Sequence, residues 1–359
     1  MAENILIVTE DTELLDDLLR LCAAAGAEAE VAPTGPFEEA GWRAAPLVLV
    51  GDDRADALHR ARPGPTRRPG VLLVGRDLDD HRIWERGVGV GAEHVVFLPD
   101  AEPWLTGRIA DAVEGVGRQG VTVGVIGGRG GAGSSTLACG LALAASRAGR
   151  RSMLVDADPL GGGLDVLLGG ESAEGLRWPA FADSRGRVGA LALEDSLPRM
   201  HEVSVLSWDR GDCALVPPEA MRSVLGAARR RGGAIVVDLP RRPDDTAAEA
   251  LAQLDLGLLV VPAELRAVAA AHRVVPRLAA LMKDLRVVVR GPCRPGLADE
   301  EIARLLDLPL AGELLPDSGL LDSVERGVPP GGAPGSRLAE FCKAFWAEVL
   351  SASERGASA

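Results

Sequence analysis

The sequence predicts two doubly wound α/β domains, each a parallel sheet between layers of helix. Three observations carry that expectation. Short apolar strands alternate with helix-like segments over the first third of the chain, and the same alternation starts again afterwards. Between the two series lies a glycine-rich stretch, Gly115-Val116-Gly117-Arg118-Gln119-Gly120. A chain of 359 residues, 47% apolar and 25% charged, is long enough for two such cores.

In the first half, strands are expected at Ile5–Val8, Glu30–Ala32, Leu47–Val50, Val71–Val74 and His94–Phe97. The clearest helix is Glu13–Ala25, with leucines at 14, 15, 18, 19 and 21. Five such units in residues 1–118 suit a flavodoxin-like three-layer domain. A larger domain is expected over 119–350. Its strands read at Thr122–Ile126, Ser152–Val155, Val203–Leu206, Ala234–Val237, Gly257–Val261 and Arg286–Val289, and its long helices at Ser135–Ala148, Glu219–Arg231 and Ala267–Leu281. Val328–Ser336 reads as a loop before one last helix, and 351–359 as a polar tail.

Composition narrows the function. No apolar run approaches the roughly 20 residues of a membrane span. The acidic start MAENILIVTEDTELL reads as a strand rather than a targeting peptide. Cys22, Cys139, Cys213, Cys293 and Cys342 form no C-x-x-C pair, and His59, His81, His94, His201 and His272 have no ligand-like spacing. Reduced thiols in a cytoplasmic protein are the expectation. The net charge of −13 is concentrated in residues 1–118, which carry 22 acids against 12 bases. Such a half repels nucleic acid and anionic lipid, so the chain gives no direct nucleic-acid signal. Only Lys283 and Lys343 among its 39 bases are lysines.

The most informative segment is the glycine loop in Val123–Thr136, with five glycines in the seven residues 127–133. A strand running through such a turn into a helix presents backbone N–H groups to phosphate. Two motifs overlap there. Gly128-x-Gly130-x-x-Gly133, with Asp156 closing the next strand, fits a dinucleotide fingerprint. Gly128-x4-Gly133-Ser134-Ser135 fits a P-loop with serine in place of lysine. Asp156-Ala157-Asp158-Pro159 and the strand Ile235–Asp238, which has the form of a Walker B strand, favour a nucleoside triphosphate with Mg²⁺. A dinucleotide-binding oxidoreductase and a scaffold that binds no nucleotide are the alternatives.

These residues make residues 119–350 resemble the MinD/ParA/CpaE family of deviant-Walker ATPases, whose loop reads K-G-G-x-G-K-[ST]-T. The matching residues are Arg129, Gly130, Gly131, Ala132, Gly133, Ser134, Ser135 and Thr136. The resemblance continues through Asp156-Ala-Asp158-Pro, Val237-Asp238-Leu-Pro-Arg241, Val260-Val-Pro-Ala-Glu264, Leu314-Leu-Pro-Asp317 and Val324-Glu-Arg-Gly-Val-Pro329. The acidic first half looks like the receiver-like domain that precedes the ATPase in CpaE-type proteins, and the two-domain order is most like the actinobacterial branch. The resemblance implies ATP or ADP with Mg²⁺, bound by 128–136 and Asp156. It implies metal support from Ser135 and Asp238, and a water-positioning role for Asp158. It also implies a homodimer, or a partner protein of the division, pilus or secretion machinery.

The sequence departs from that family at both loop lysines. Arg129 stands at the signature position, which in the family reaches a partner's nucleotide, and Ser134 stands at the P-loop lysine. One charge-assisted contact to phosphate contributes roughly 1.5–3 kcal/mol. A transition-state cation is worth on the order of 10³–10⁵ in rate. Binding is therefore expected to survive on the backbone and the metal, and fast hydrolysis is not. Arg241 and Arg290 are the candidates to replace the missing charge.

The receiver-like half departs as well. Thr9-Glu10, Gly51 and Leu98 occupy the places of the receiver's paired acids, phosphoacceptor and lysine, so Asp52 and Asp53 read as loop acids. In the last helix, Leu338, Phe341, Cys342, Phe345, Trp346, Val349 and Leu350 form an apolar stripe. The opposite face carries Arg337, Glu340, Lys343 and Glu348, without basic excess. Packing on the second domain is expected, with membrane association at most peripheral.

Overall fold

A computed structural model describes residues 4–32, 39–61, 68, 70–113, 120–182, 188–211, 215–293, 295, 297–333 and 335–356. The chain divides into two compact units, 1–117 and 118–359. Of the glycine-rich junction expected between them, only Gly120 lies within the described residues.

In the first unit, β1 (Ile5–Val8), β2 (Ala29–Val31), β3 (Val48–Gly51), β4 (Val71–Gly75) and β5 (His94–Phe97) form a parallel sheet in the order β2-β1-β3-β4-β5. This is the flavodoxin order. Side chains alternate across the pleat, so the strands feed two cores. Ile5, Ile7, Leu49 and Leu72 pack with Leu14, Leu18, Leu105 and Ile109 from helices Thr12–Ala24 and Glu102–Val113. Leu6, Val8, Val50 and Leu73 pack with Trp42, Leu58, Ile83 and Val90 on the other face. The first helix starts where Asp11 caps it, its Oδ1 accepting from the N–H of Glu13 at 2.9 Å and of Leu14 at 3.2 Å.

The second unit holds β6 (Val121–Gly127), β7 (Ser152–Asp156), β8 (Arg199–Met200), β9 (Val203–Leu206), β10 (Ala234–Leu239), β11 (Leu256–Pro262), β12 (Leu285–Arg290) and β13 (Leu310–Leu314). Their order is β13-β12-β11-β6-β10-β7-β9-β8, and only the short pair β8–β9 is antiparallel. β8 and β13, both at edges, were not expected. β8 is two residues long, and β13 (LAGEL) is half-buried with little apolar contrast. The helix expected over 267–281 is two helices, Leu265–Ala271 and Val275–Ala279. Pro276 sits in the first turn of the second, where its missing N–H does no harm; within one long helix it would break the ladder.

Helix Ser134–Arg147 is buried along most of its length and packs against the terminal helix Arg337–Gly356. Leu338, Cys342, Phe345 and Trp346 are buried there, and the Trp346 indole donates to the Leu141 carbonyl at 2.9 Å. The helices meet at Gly140, where a Cβ would lie 3.0 Å from Leu338. The apolar stripe is thus spent on the core. Among the described residues no helix is long and apolar enough to cross a membrane.

Candidate functional site

β6 delivers the chain at the carboxyl edge of the sheet, where parallel sheets bind ligands. The turn that follows is shaped by positive φ at Gly131 (68°) and Gly133 (98°), and Gly133 caps helix Ser134–Arg147. Gly128 is committed to structure. Its N–H donates to Val260 at 2.9 Å, and a Cβ there would meet Ala271 and Val261 at 3.0 Å. The N–H groups of Gly130, Gly131, Gly133, Ser134, Ser135 and Thr136 have no acceptor among the described residues. Six free donors around one turn are the backbone chemistry that suits an anion. Ala132 is buried beneath it.

Two aspartates lie side by side on adjacent strands next to this turn, Asp238 of β10 in register with Asp156 of β7. Asp238 is buried beside the Ser135 hydroxyl, and its Oδ1 has no partner. Burial pushes its carboxyl up to about 7, against the pull of the Ser135 hydroxyl, with Asp156 and Asp158 adding to the rise. Burial also raises Asp156 to about 7, although it accepts from the N–H groups of Asp158 (3.1 Å) and Leu164 (3.3 Å) and from Ser207 (3.2 Å). Asp158 is half-buried and caps the Leu160 N–H at 3.0 Å.

An orphaned buried carboxylate oxygen beside a hydroxyl, at the strand end next to a turn with free N–H groups, fits a hydrated magnesium ion and its phosphate partner. Among the described residues no three His, Cys, Asp or Glu side chains form a metal cage. Magnesium asks for none, since it keeps waters and shares phosphate oxygens with one or two protein ligands.

The topology argues against a dinucleotide fold. There the strand bearing the ribose acid adjoins the strand leading into the glycine turn. Here β10 lies between β6 and β7, and both oxygens of Asp156 are turned inward.

Arg129 does not lie across the turn. Its guanidinium bonds Gly130 O at 2.9 Å and both oxygens of Glu264 at 3.1 and 3.2 Å. Ser134 makes no ion-like contact; its Oγ lies 3.4 Å from where a Gly127 Cβ would be. Of the two replacement arginines, Arg241 is exposed, while Arg290 Nη1 lies 3.4 Å from Gly131 O. Beside the turn a cleft of about 530 Å³ runs from Gly133, Thr136 and Arg290 to Leu315, Pro316 and Leu320.

Sequence reasoning missed the layer behind Asp156. The indoles of Trp178 and Trp208 both donate to its carbonyl, at 2.6 and 3.1 Å. Ser207 Oγ sits 3.2 Å from Asp156 Oδ2 and 3.5 Å from Oδ1 of the fully buried Asp165, which Arg210 holds at 2.7 Å and Arg177 at 3.5 Å. The available signal was position, because Ser207 and Trp208 directly follow β9 on the same carboxyl edge.

In the first unit, β3 ends at Gly51, and a Cβ there would lie 2.2 Å from Asp53 Oδ1 and 2.6 Å from Thr9 Oγ1. Thr9 donates to Asp53 Oδ1 at 2.8 Å and the Glu10 N–H to Oδ2 at 2.7 Å. The place of a receiver's phosphoacceptor is therefore filled by this clasp, and Leu98 is buried at the lysine's place. Acetyl phosphate is expected to leave no acyl-phosphate on residues 1–118, read by intact mass and hydroxylamine release. Stoichiometric labelling would contradict the clasp.

Comparison with known proteins agrees with both halves. Residues 8–120 match the family described as Rv3660c-like, CheY-like N-terminal domain. The chain is 39% identical over 321 residues to the protein Rv3660c of Mycobacterium tuberculosis, covering 88% of this chain and 90% of that one. It is 27% identical over 215 residues to the septum site-determining protein MinD of Synechocystis sp., covering 57% and 79%. The structure of MinD from Pyrococcus horikoshii, complexed with Mg-ADP, superposes with a TM-score of 0.51 at 21% identity, covering 64% of this chain and 95% of that one. The chain belongs to the family of Rv3660c, in which a receiver-like domain precedes a domain of the MinD/ParA fold.

Proposed function

We propose that the second unit binds ATP or ADP with Mg²⁺, and that the chain is a nucleotide-responsive positioning protein of the cell-division or secretion machinery. The observation that carries the site is the unpartnered Oδ1 of Asp238, held against Ser135 beside six free N–H groups. Ser135 and Asp238 would hold the metal, and the N–H groups of 130–136, with Asp156 behind them, the phosphates. Bound magnesium supplies charge neutralisation on the phosphates. Asp158 would be the residue that positions water. The cell-division assignment is supported by the septum site-determining relatives. Assembly into a homodimer or with a partner protein is part of the proposal. Arg129 would contribute after release from Glu264, an ion pair whose carboxylate is 58% exposed and which costs about 1 kcal/mol or less to break.

With Ser134 at the loop position, steady-state turnover is expected near background, below about 1 s⁻¹ without added partners. Ser134→Lys is expected to tighten ATP–Mg²⁺ binding about tenfold or more, as one charge-assisted contact supplies. Isothermal titration of both proteins with ATP–Mg²⁺ and with NADH is the test. A correctly folded Ser134→Lys protein with unchanged ATP affinity would show that the turn is not presented as a P-loop. Tighter NADH than ATP binding would return the dinucleotide reading, and binding of neither would leave a scaffold.

A further inference from the structure

Arg290 closes β12 and reaches over the glycine turn. Its Nη1 donates to Gly131 O at 3.4 Å, and a Cβ on Gly133 would come within 3.1 Å of the same nitrogen. The guanidinium therefore lies over the residue that opens helix Ser134–Arg147. It also lines the cleft with Gly133 and Thr136, opposite the apolar end at Leu315, Pro316 and Leu320. Arg290 is half-buried, and no described carboxylate lies within 4 Å of it. Burial and the neighbouring Arg129 both push its pKa down, partly offset by Glu264.

A desolvated guanidinium beside a second one is unfavourable until an anion joins them. The turn next to it has six free N–H groups and, at Ser134, no cation of its own. A ligand with an apolar ring at one end of the cleft and an anion at the other would meet Arg290, Gly133 and Thr136 together.

We propose that Arg290 is the phosphate-binding cation of this site, supplied across the cleft by β12 in place of a cation on the loop itself. Its planar fork takes two phosphate oxygens at once, which a serine hydroxyl at position 134 cannot do. The proposal rests on the nucleotide reading above. It adds that the charge selecting phosphorylated over unphosphorylated nucleoside sits at position 290.

The test is titration of the full chain with ADP–Mg²⁺ and with adenosine, comparing wild type, Arg290→Met, Arg290→Lys and the double variant Arg290→Met/Ser134→Lys, each with a thermal melt. Arg290→Met keeps the apolar stem and removes the charge. It is expected to weaken ADP about tenfold to a hundredfold and to leave adenosine unchanged. Arg290→Lys should fall between the two, and Ser134→Lys should restore ADP affinity to the methionine variant. If wild type binds ADP and Arg290→Met binds it within about twofold, the role of Arg290 is refuted and the nucleotide site stands. Equal loss of ADP and adenosine would also overturn it, because Arg290 would then only shape the cleft. Should Arg290→Met fail to fold, equal ADP affinities for Arg290→Lys and Arg290→Gln would refute it in the same way. Wild type binding neither ADP nor ATP would remove the nucleotide reading and this proposal together.

Discussion

Truncating Trp346 to alanine is expected to destabilise the second unit by about 3–5 kcal/mol, the range for deleting a large buried aromatic. Trp346 is 2% exposed, stacks edge-on against Phe345 and donates its indole N–H to Leu141 O inside helix Ser134–Arg147. The substitution opens a cavity and leaves that carbonyl one donor short. In a unit of this size the melting temperature should fall by about ten degrees. Lys343→Ala, on the exposed side of the same helix, should change it by less than about 0.5 kcal/mol. Because helix Ser134–Arg147 begins in the glycine turn, the loss also loosens the platform under the nucleotide site. Unchanged stability of Trp346→Ala together with lost binding to anionic vesicles would instead make the last helix a membrane device.

That helix was readable because an apolar stripe without a basic rim has few places to go other than a core. The sheets were readable for a similar reason. Strands such as Val71–Gly75 and Leu256–Pro262 are buried on both faces, and their continuous apolar runs stand out without any knowledge of what covers them. β13 carries no such run, and the break at Pro276 needed more attention to a single residue than to the stripe around it. At the site, the turn and Asp238 were visible because backbone geometry demands glycine and because a strand ending in an acid interrupts an apolar run. Arg290 was visible as one of two candidate cations, without its place over the turn, and Trp178 and Trp208 were not visible. Their relevance depends on which strand neighbours which, and the insertion of β10 between β6 and β7 is a long-range fact with no local trace.

Asp238→Asn is expected to make the protein more stable than wild type at pH 8 in the presence of chelator, and no more stable below about pH 4. The carboxyl of Asp238 is pushed up to about 7 by burial, from 3.8. A raised folded pKa means that the folded state binds the proton more tightly than the unfolded chain. The stability this contributes is complete below about pH 4 and is lost as pH rises through 7. Asp156, raised for the same reason on the neighbouring strand, works in the same direction. At about 1.4 kcal/mol per unit, the Asp238 contribution alone amounts to about 4 kcal/mol by pH 8. Asparagine removes the charge while keeping an acceptor for the Ser135 hydroxyl, so it removes that cost and little else. Magnesium should act unequally on the two proteins. At pH 8 it gives the ionised Asp238 the partner that Oδ1 lacks and raises the melting temperature of wild type, more so with ADP present, while Asp238→Asn gains little. Thermal melts at pH 3.5 and 8, with EDTA and with Mg²⁺–ADP, check all four corners. A variant less stable than wild type at pH 8 in EDTA would mean that the Asp238 carboxylate already has a partner within the protein, and it would then have no call on a metal.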